Sequence, residues 1–428
     1  MAEIRPFRAL RFTQKAGPLE QLLCPPYDII SEQQRQGYLK TNPNNIIRLE
    51  LPRDAADPYA AASETLKGML DSGVLKRDDT AALYIYEIEF TLDNHPDEKY
   101  RLHGIVGQVH LEEFDKGIVL PHEETLSKAK EDRLNLMKAT GCNFSNVYSL
   151  YNDESGTIEA VLSAAMQETP LCEVTDEAGL VHRLWALTDE TALQTVTAQF
   201  VDTKLYIADG HHRYETAINY RNYLRSQGTP IGADSDYIMM MVVEMSHPGL
   251  VVFPTHRLLK DLSNFSAEAV LAACAEDFYT EEVALSSLNE RLDAAYDEGK
   301  KAFGFYVGGD KAVLLTLKDI GVMDAVLPQV SAASRQLDVN VLHTLVLERV
   351  LGIDKANMAQ QINLTYTRSL NEAIEGVNSG LYQGTFILNP TRVSEIRDVA
   401  AAGEKMPQKS TYFYPKLITG LTMNQLTR

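Results

Sequence analysis

The sequence predicts a mixed α/β (α+β) fold, with mixed sheets flanked by helices, and three features carry that expectation. Apolar, β-branched runs of strand length recur, as in "ALYIYEIEFTL", "KLYIA" and "DYIMMMVV". Segments with helical spacing and recognisable caps lie between them. The two kinds alternate along the whole chain, without repeats, low-complexity tracts or a Pro/Gly/Ser-rich linker.

Taken in order, "IIRLEL" and "ALYIYEIEFTL" read as strands. The second is followed by the turn signal "DNHPDE" and a return strand, "YRLHGIVGQVHL". Ser31 with Gln34 three residues on, and Asp57 followed by Pro58, mark helix starts. A helical pattern spans Glu123 to Lys138 and closes at Gly141. "KLYIA" is a strand, His212 to Arg225 a helix ending near Gly228, and "DYIMMMVV" a buried strand. Beyond "FPTHRLLKDL" come helix, strand, helix and the hairpin "AFGFYVGGDKAVLLTL". A helix near Val339 to Leu351, the strands "NLTYT" and "GTFIL" and two more helices complete the chain. A length of 428 residues allows two or three cores. The expected division is an N-terminal α+β region over 1–110, a site-bearing region over 111–260 and a C-terminal α+β region over 261–428 whose tail folds back.

Composition narrows the function classes. With 45% hydrophobic and 23% charged residues the chain reads as an ordinary soluble globular protein. A formal net charge of -19 argues against a duplex nucleic acid or anionic membrane surface, while leaving room for a small phosphate site. The N-terminal "MAEIRPFRAL" is broken by charges and a proline, so no signal peptide is expected. "YIMMMVV" is too short to span a bilayer. Cys24, Cys142, Cys172 and Cys274 are scattered without a CxxC pair, which suits a cytoplasmic protein. Cys24 reads as a small core residue before it reads as a nucleophile.

The most informative stretch is "LYIADGHHRYETAINYRNYLR". A helix start leaves about four N–H groups without intrahelical partners and carries partial positive charge. A strand–glycine–helix junction is therefore an anion site. Gly210 allows close backbone approach, and Arg213 in the first turn offers a planar fork for phosphate oxygens. Asp209, at the strand end, is a candidate Mg²⁺ ligand, proton acceptor or simple cap. His211 and His212 are adjacent, so their side chains diverge and a zinc site is not indicated.

Three further clusters matter. In "GIVLPHEETLSKAKEDR", His122 and Glu123 pair a proton acceptor with a carboxylate at a helix entrance. Lys128, Asp132 and Arg133 follow on that helix, where they can equally form a solvated, charge-paired face. In "EKMPQKSTYFYPKLITGL", Lys405, Lys409 and Lys416 surround Ser410 and Thr411, a set that suits phosphate or carboxylate without a P-loop frame. The aromatic residues there would pack the tail onto the body. In "CPPYDII", Pro25 and Pro26 stiffen the chain that presents Tyr27 and Asp28. His256 and Arg257, in "FPTHRLL", either complete an anionic pocket or lie on the surface.

"Gly210-His211-His212-Arg213" resembles the Gly-x-His-Arg junction of the ParB/sulfiredoxin fold, whose members bind nucleotide phosphates at that turn. "ADGHHR" is most similar to the version in free serine kinases of that superfamily. Through "RPFRAL", "CPPYDII", "NPNNIIRL", "HEETLSKAKEDR", "LYIADGHHRYETA" and "MPQKSTYFYPKLITGL", nearly the whole chain resembles the family catalogued as domain of unknown function 1015. The resemblance implies a ParB/sulfiredoxin-like nucleotide-binding core over 111–260.

Together these readings point to a nucleotide-binding phosphotransferase, a small-molecule kinase that moves phosphate from ATP or ADP to a hydroxyl of a small polar metabolite. Gly210 and Arg213 would take the phosphates, with His211, His212, Lys409, Ser410 and Thr411 beside them. Asp209 would hold Mg²⁺ or orient, and Glu123 or His122 would act as base. Tyr27, Asp28, Lys128, Asp132, Arg133, His256, Arg257 and Lys416 are the remaining pocket candidates. A phosphoester hydrolase or nuclease using the same residues, and a non-catalytic nucleotide or metabolite sensor, are the alternatives. The sequence leaves oligomeric state open, with a homodimer as one candidate.

Overall fold

The structure, a computed structural model, describes residues 2–92, 95–123 and 127–426, with the side chains of Ser127 and Lys128 outside the description. The expected "DNHPDE" turn falls partly on residues 93 and 94, which lie outside the described residues. Two compact units share the chain. The first comprises Met1–Pro121, Thr125–Val251 and Pro415–Arg428; the second comprises His122–Glu124 and Val252–Tyr414.

The fold is mixed α/β. In the first unit, nine strands form one mixed sheet. Its middle is the long hairpin Leu83–Leu92 and His95–His110, joined by Tyr237–Glu244 and Val147–Tyr151. Leu205–Asp209 lies next to Val147–Tyr151 and closes toward the edge strand Val119–Leu120. Two pairings are parallel, Tyr237–Glu244 with Val147–Tyr151 and Leu205–Asp209 with Val119–Leu120; the remainder are antiparallel. Continuous apolar runs make sense here, because strands covered on both faces need not alternate. Ile85, Val109, Val147, Ile207, Met240 and Val242 are buried together with Tyr214, Ala217 and Ile218 of the helix His211–Ser226. Lys130 and Glu215, 2.7 Å apart, link that helix to the helix Ser127–Thr140.

A second core in this unit gathers Leu10, Cys24, Ile46, Ile47, Leu49, Leu66, Leu136 and Met423. Both expected helix starts are present. Ser31 and Gln34 exchange a capping box, and Asp57 accepts from the N–H groups of Tyr59 and Ala60 ahead of the helix Pro58–Asp71. "IIRLEL" is a correction, because Ile47–Glu50 is a short helix rather than a strand. The Asn45 side chain accepts the Ile47 N–H at 2.9 Å and starts the turn, and Ile46, Ile47, Leu49 and Leu51 are all buried. Burial on every side erases the periodicity that separates the two states in a short run. Of the helix expected over Glu123–Lys138, Ser127–Thr140 is helical, residues 124–126 lie outside the described residues, and Gly141 donates to the Met137 carbonyl at 2.8 Å.

The second unit carries an antiparallel six-stranded sheet ordered Phe278–Ala284, Lys311–Leu317, Ala302–Tyr306, Gly384–Leu388, His256–Leu259 and Leu364–Thr367. Leu258, Leu288, Leu292, Ala302, Leu314, Ala373 and Ile387 fill its core with the helices Leu288–Asp297 and Leu370–Asn378. The expected helix near Val339–Leu351 is composite. Asp338–Leu342 is α-helical and His343–Glu348 is a π-helical turn. Among the described residues, no helix is long and apolar enough to cross a membrane.

Close strand approach fixes Gly104 in the central hairpin, since a Cβ there would lie 2.5 Å from the Val242 carbonyl oxygen. Gly104→Ala is expected to destabilise the first unit by about 1–3 kcal/mol through overpacking. Urea unfolding followed by fluorescence of Trp185, which lies in that unit's core, reads the change directly.

Candidate anion site at the Gly210 junction

The junction is built as the local chemistry dictates. Leu205–Asp209 ends with an irregularity in its pairing, so that Ile207 faces Ser149 but Asp209 faces Tyr148. The extra residue re-aims the strand end, a common role of such bulges. Gly210 follows at φ +92, a left-handed conformation that costs glycine little, and opens the helix without a side-chain cap. A Cβ at this position would meet Arg213 Nε at 3.0 Å. The guanidinium of Arg213 thus lies folded back over the glycine.

Asp209 is the hub. Arg213 Nη2 donates to its Oδ2 at 2.9 Å and Lys416 Nζ donates to its Oδ1 at 3.0 Å, while Arg213 Nη1 donates to the Asn146 carbonyl. Burial disfavours the charged carboxylate, but Lys416 and then Arg213 outweigh it and hold Asp209 well below the usual carboxylate range. Burial likewise opposes the charge on Arg213, and Asp209 more than restores it. His211 is buried and adds to the positive field at Asp209.

Next to this hub lies a cavity of about 50 Å³ lined by Glu50, Arg133, Ser145, Arg213 and Thr216, among others. Ser145 Oγ donates to Glu50 Oε1 at 2.9 Å, and Arg133 Nη1 reaches the same carboxylate oxygen at 3.9 Å. Burial pushes the Glu50 carboxyl up, against the opposing pull of Arg133 and Arg213. Arg133 also donates to the Glu50 carbonyl and to Asp132, and its guanidinium stacks over the Tyr27 ring at 4.3 Å. Burial raises the Tyr27 phenol to about 12 despite Arg213, with Asp28 acting in the same direction as burial. A larger groove of about 530 Å³ in this unit, lined by Lys67, Asp71, Arg77 and Gln425 among others, contains none of the expected site residues.

The fold therefore brings together Tyr27, Asp28, Arg133, Asp209, Gly210, Arg213 and Lys416 within the first unit, from sequence stretches hundreds of residues apart. Asp132 is used structurally, accepting from Tyr59 at 3.0 Å and pairing with Arg133. The Lys128 side chain lies outside the described residues. Cys24 belongs to the second core of this unit, where burial raises its thiol far above the reactive range, so it is not poised as a nucleophile.

His211 and His212 also belong to the first unit, at the start of the helix His211–Ser226, and the remaining expected residues belong to the second. His122 is buried, Nε2 lies 3.0 Å from Thr411 Oγ1, and its carbonyl accepts from Met406. Glu123 accepts the Lys409 N–H at 3.0 Å. Ser410 donates to the Pro407 carbonyl, and Phe413 packs edge-on to the His122 ring. These contacts hold the described part of this segment. Neither His256 nor Arg257 lies on the surface, because both are buried in the strand next to one edge of this unit's sheet.

Sequence reasoning missed Glu50, Ser145, Asn146 and His343. Ser145 and Asn146 form a short polar pair and Glu50 and His343 stand beside apolar residues, none with a spacing signal, and only the fold shows what each touches. As for Mg²⁺, both Asp209 oxygens already accept from cations, a donor set that does not fit a divalent ion. Among the described residues, no group of three or more His, Cys, Asp or Glu side chains could hold a metal.

Comparison with known proteins decides the family. The family model described as protein of unknown function (DUF1015) matches residues 4–340. The chain belongs to that family. No curated protein matches the DUF1015 chain. Among solved structures, a conserved hypothetical protein from Pyrococcus furiosus is similar at 14% identity and a TM-score of 0.34, covering 72% of this chain and 90% of its own. Free serine kinase in complex with AMP is similar at 15% identity and a TM-score of 0.35, over 72% of this chain and 90% of that one. SbnI with a C-terminal truncation, from Staphylococcus aureus, shows 10% identity and a TM-score of 0.35, over 75% and 87%.

Removing the Asp209 charge should expose the cost of its two cations. Asp209→Asn is expected to destabilise the first unit by about 2–3 kcal/mol at pH 7, less than a fully enclosed pair because Asp209 is one-fifth exposed. The folded-state pKa is depressed, so this advantage of the wild type is complete above the unfolded carboxylate range, near pH 4. It shrinks as pH falls further toward the depressed value. Denaturant melts of both proteins between pH 3 and 7 measure it, and a difference that grows on acidification contradicts the assignment.

Proposed function

We propose that the first unit binds a nucleotide through its phosphates at the Gly210 junction, and that the protein is a phosphotransferase. It would move phosphate from ATP or ADP to a hydroxyl of a small polar metabolite, with serine the first acceptor to try. One observation carries the reading: Arg213 and Lys416 meet on Asp209 at the start of the helix His211–Ser226. A helix N-terminus, a planar guanidinium and an ammonium concentrated at a glycine turn suit phosphate oxygens. Asp209 keeps the two cations charged and in place before the ligand arrives.

Phosphoryl transfer demands mainly positioning and charge neutralisation. The acceptor oxygen forms the new bond to phosphorus, the bond to the departing nucleotide oxygen breaks, and the acceptor proton passes to a base. Gly210, His211, His212 and Arg213 are proposed as phosphate contacts. The assignment of Glu123 or His122 as base, and of Lys409, Ser410 and Thr411 as further phosphate contacts, stands as a separate proposal with its own test. The nucleotide would arrive with Mg²⁺ as its ordinary counter-ion, and no step is assigned to an ion held by Asp209.

Titration calorimetry with ATP and ADP is expected to show binding weakened by about 1.5–3 kcal/mol in Arg213→Ala. Equal affinity in both proteins moves the nucleotide elsewhere. Phosphate transfer assayed across serine, homoserine, threonine, glycerate and sugars is expected to be acceptor-dependent. Glu123→Gln should then lower the rate by about 10²–10⁴-fold if that carboxylate is the base. Phosphate release without an acceptor indicates the hydrolase, and bound nucleotide without turnover indicates the sensor.

A further inference from the structure

Arg257 stands apart from the other buried arginines. Arg35 pairs with Glu32 and Asp54, Arg133 with Asp132, and Arg221 with Glu113. Arg257 has no exposed surface, yet its partners are all uncharged. It donates to the Thr255 carbonyl, to His343 Nε2 at 3.3 Å and to the Lys409 carbonyl at 3.4 Å, with the Tyr366 ring 5.4 Å away. Among the described residues, no carboxylate forms an ion pair with it.

Burial lowers its pKa to about 10, which leaves the guanidinium charged at neutral pH. The neighbouring imidazoles offer no compensation. Burial and then Arg257 hold His256 down near 4 and His343 well below its ordinary value. An isolated buried charge is costly, and proteins normally answer it with an opposite charge. A guanidinium has five N–H groups, and three are committed here. The contact to Lys409 is the longest of them. That carbonyl belongs to a residue at φ +58, in the turn where Ser410 is pinned by Pro407 and Thr391. His343 opens a π-helical turn, a local distortion that often accompanies function.

We propose that Arg257 anchors an oxyanion site inside the second unit. A phosphate or carboxylate group of a small molecule takes the guanidinium fork in place of the Lys409 carbonyl and supplies the missing negative charge. The inference is independent of the nucleotide reading of the first unit, because every residue it uses belongs to the second.

The test follows the guanidinium itself. The native protein, uniformly labelled with ¹⁵N, is titrated with inorganic phosphate and separately with malonate, at constant ionic strength. The Arg257 Nε–H signal is assigned by its loss in Arg257→Lys. The expected result is a saturable shift of that signal with at least one anion, retained in Arg213→Ala. Binding to the second unit, read from the Ser410 and Thr411 amides, should weaken at least about tenfold in Arg257→Lys, since a planar bidentate contact is lost. An unmoved Arg257 signal overturns the proposal, as does a response abolished by Arg213→Ala or unchanged in Arg257→Lys. Where Arg257→Lys does not fold, Arg257→Gln supplies the assignment and the titration of the native protein decides.

Discussion

The first unit turns on the charge at Asp209. Its carboxylate receives Arg213 from the start of a helix and Lys416 from the C-terminal stretch, and it sits at the end of a strand re-aimed by a bulge. Strand, helix and tail are thus tied at one point by two charge-assisted hydrogen bonds in a poorly solvated place. Each of the three charges stabilises the others against the cost of desolvation. The same mutual dependence keeps Arg213 from extending into solvent and lays it across Gly210.

A second layer of charge surrounds this hub. Glu50, buried beside Ser145, lies under the influence of Arg133 and Arg213, and Arg133 in turn holds the Tyr27 ring and Asp132. Glu50, Arg133 and Arg213 close around a small cavity, and the Tyr27 ring lies against Arg133. Such a network is sensitive to loss of any one member, since the remaining charges stay buried. In a chain with a net charge of -19, Arg213 and Lys416 meet here on one carboxylate.

Much of this was legible one residue at a time. The glycine junction, its arginine, the rigid "CPPYDII" segment and the lysine of the tail were each singled out by residue type and local spacing. Their meeting was not legible, because Tyr27, Arg133, Arg213 and Lys416 are separated by long stretches of chain and no local rule encodes a distance between them. Glu50 was hidden twice over. It is a lone acid in an apolar run, and that run was read as a strand until its burial on all sides showed a helical turn.

By itself the sequence determined the periodic elements, the caps at Ser31 and Asp57 and the strand–glycine–helix junction at Gly210. All of these depend on interactions within a few residues of chain. The tertiary structure alone decided that Asp209 would carry two cations, that Arg133 and Glu50 would be buried together, and that Arg257 would be enclosed with no carboxylate beside it among the described residues. The physical reason is that charge pairing and desolvation depend on what the rest of the chain brings within a few ångströms, and that is settled only when the sheets and helices have packed.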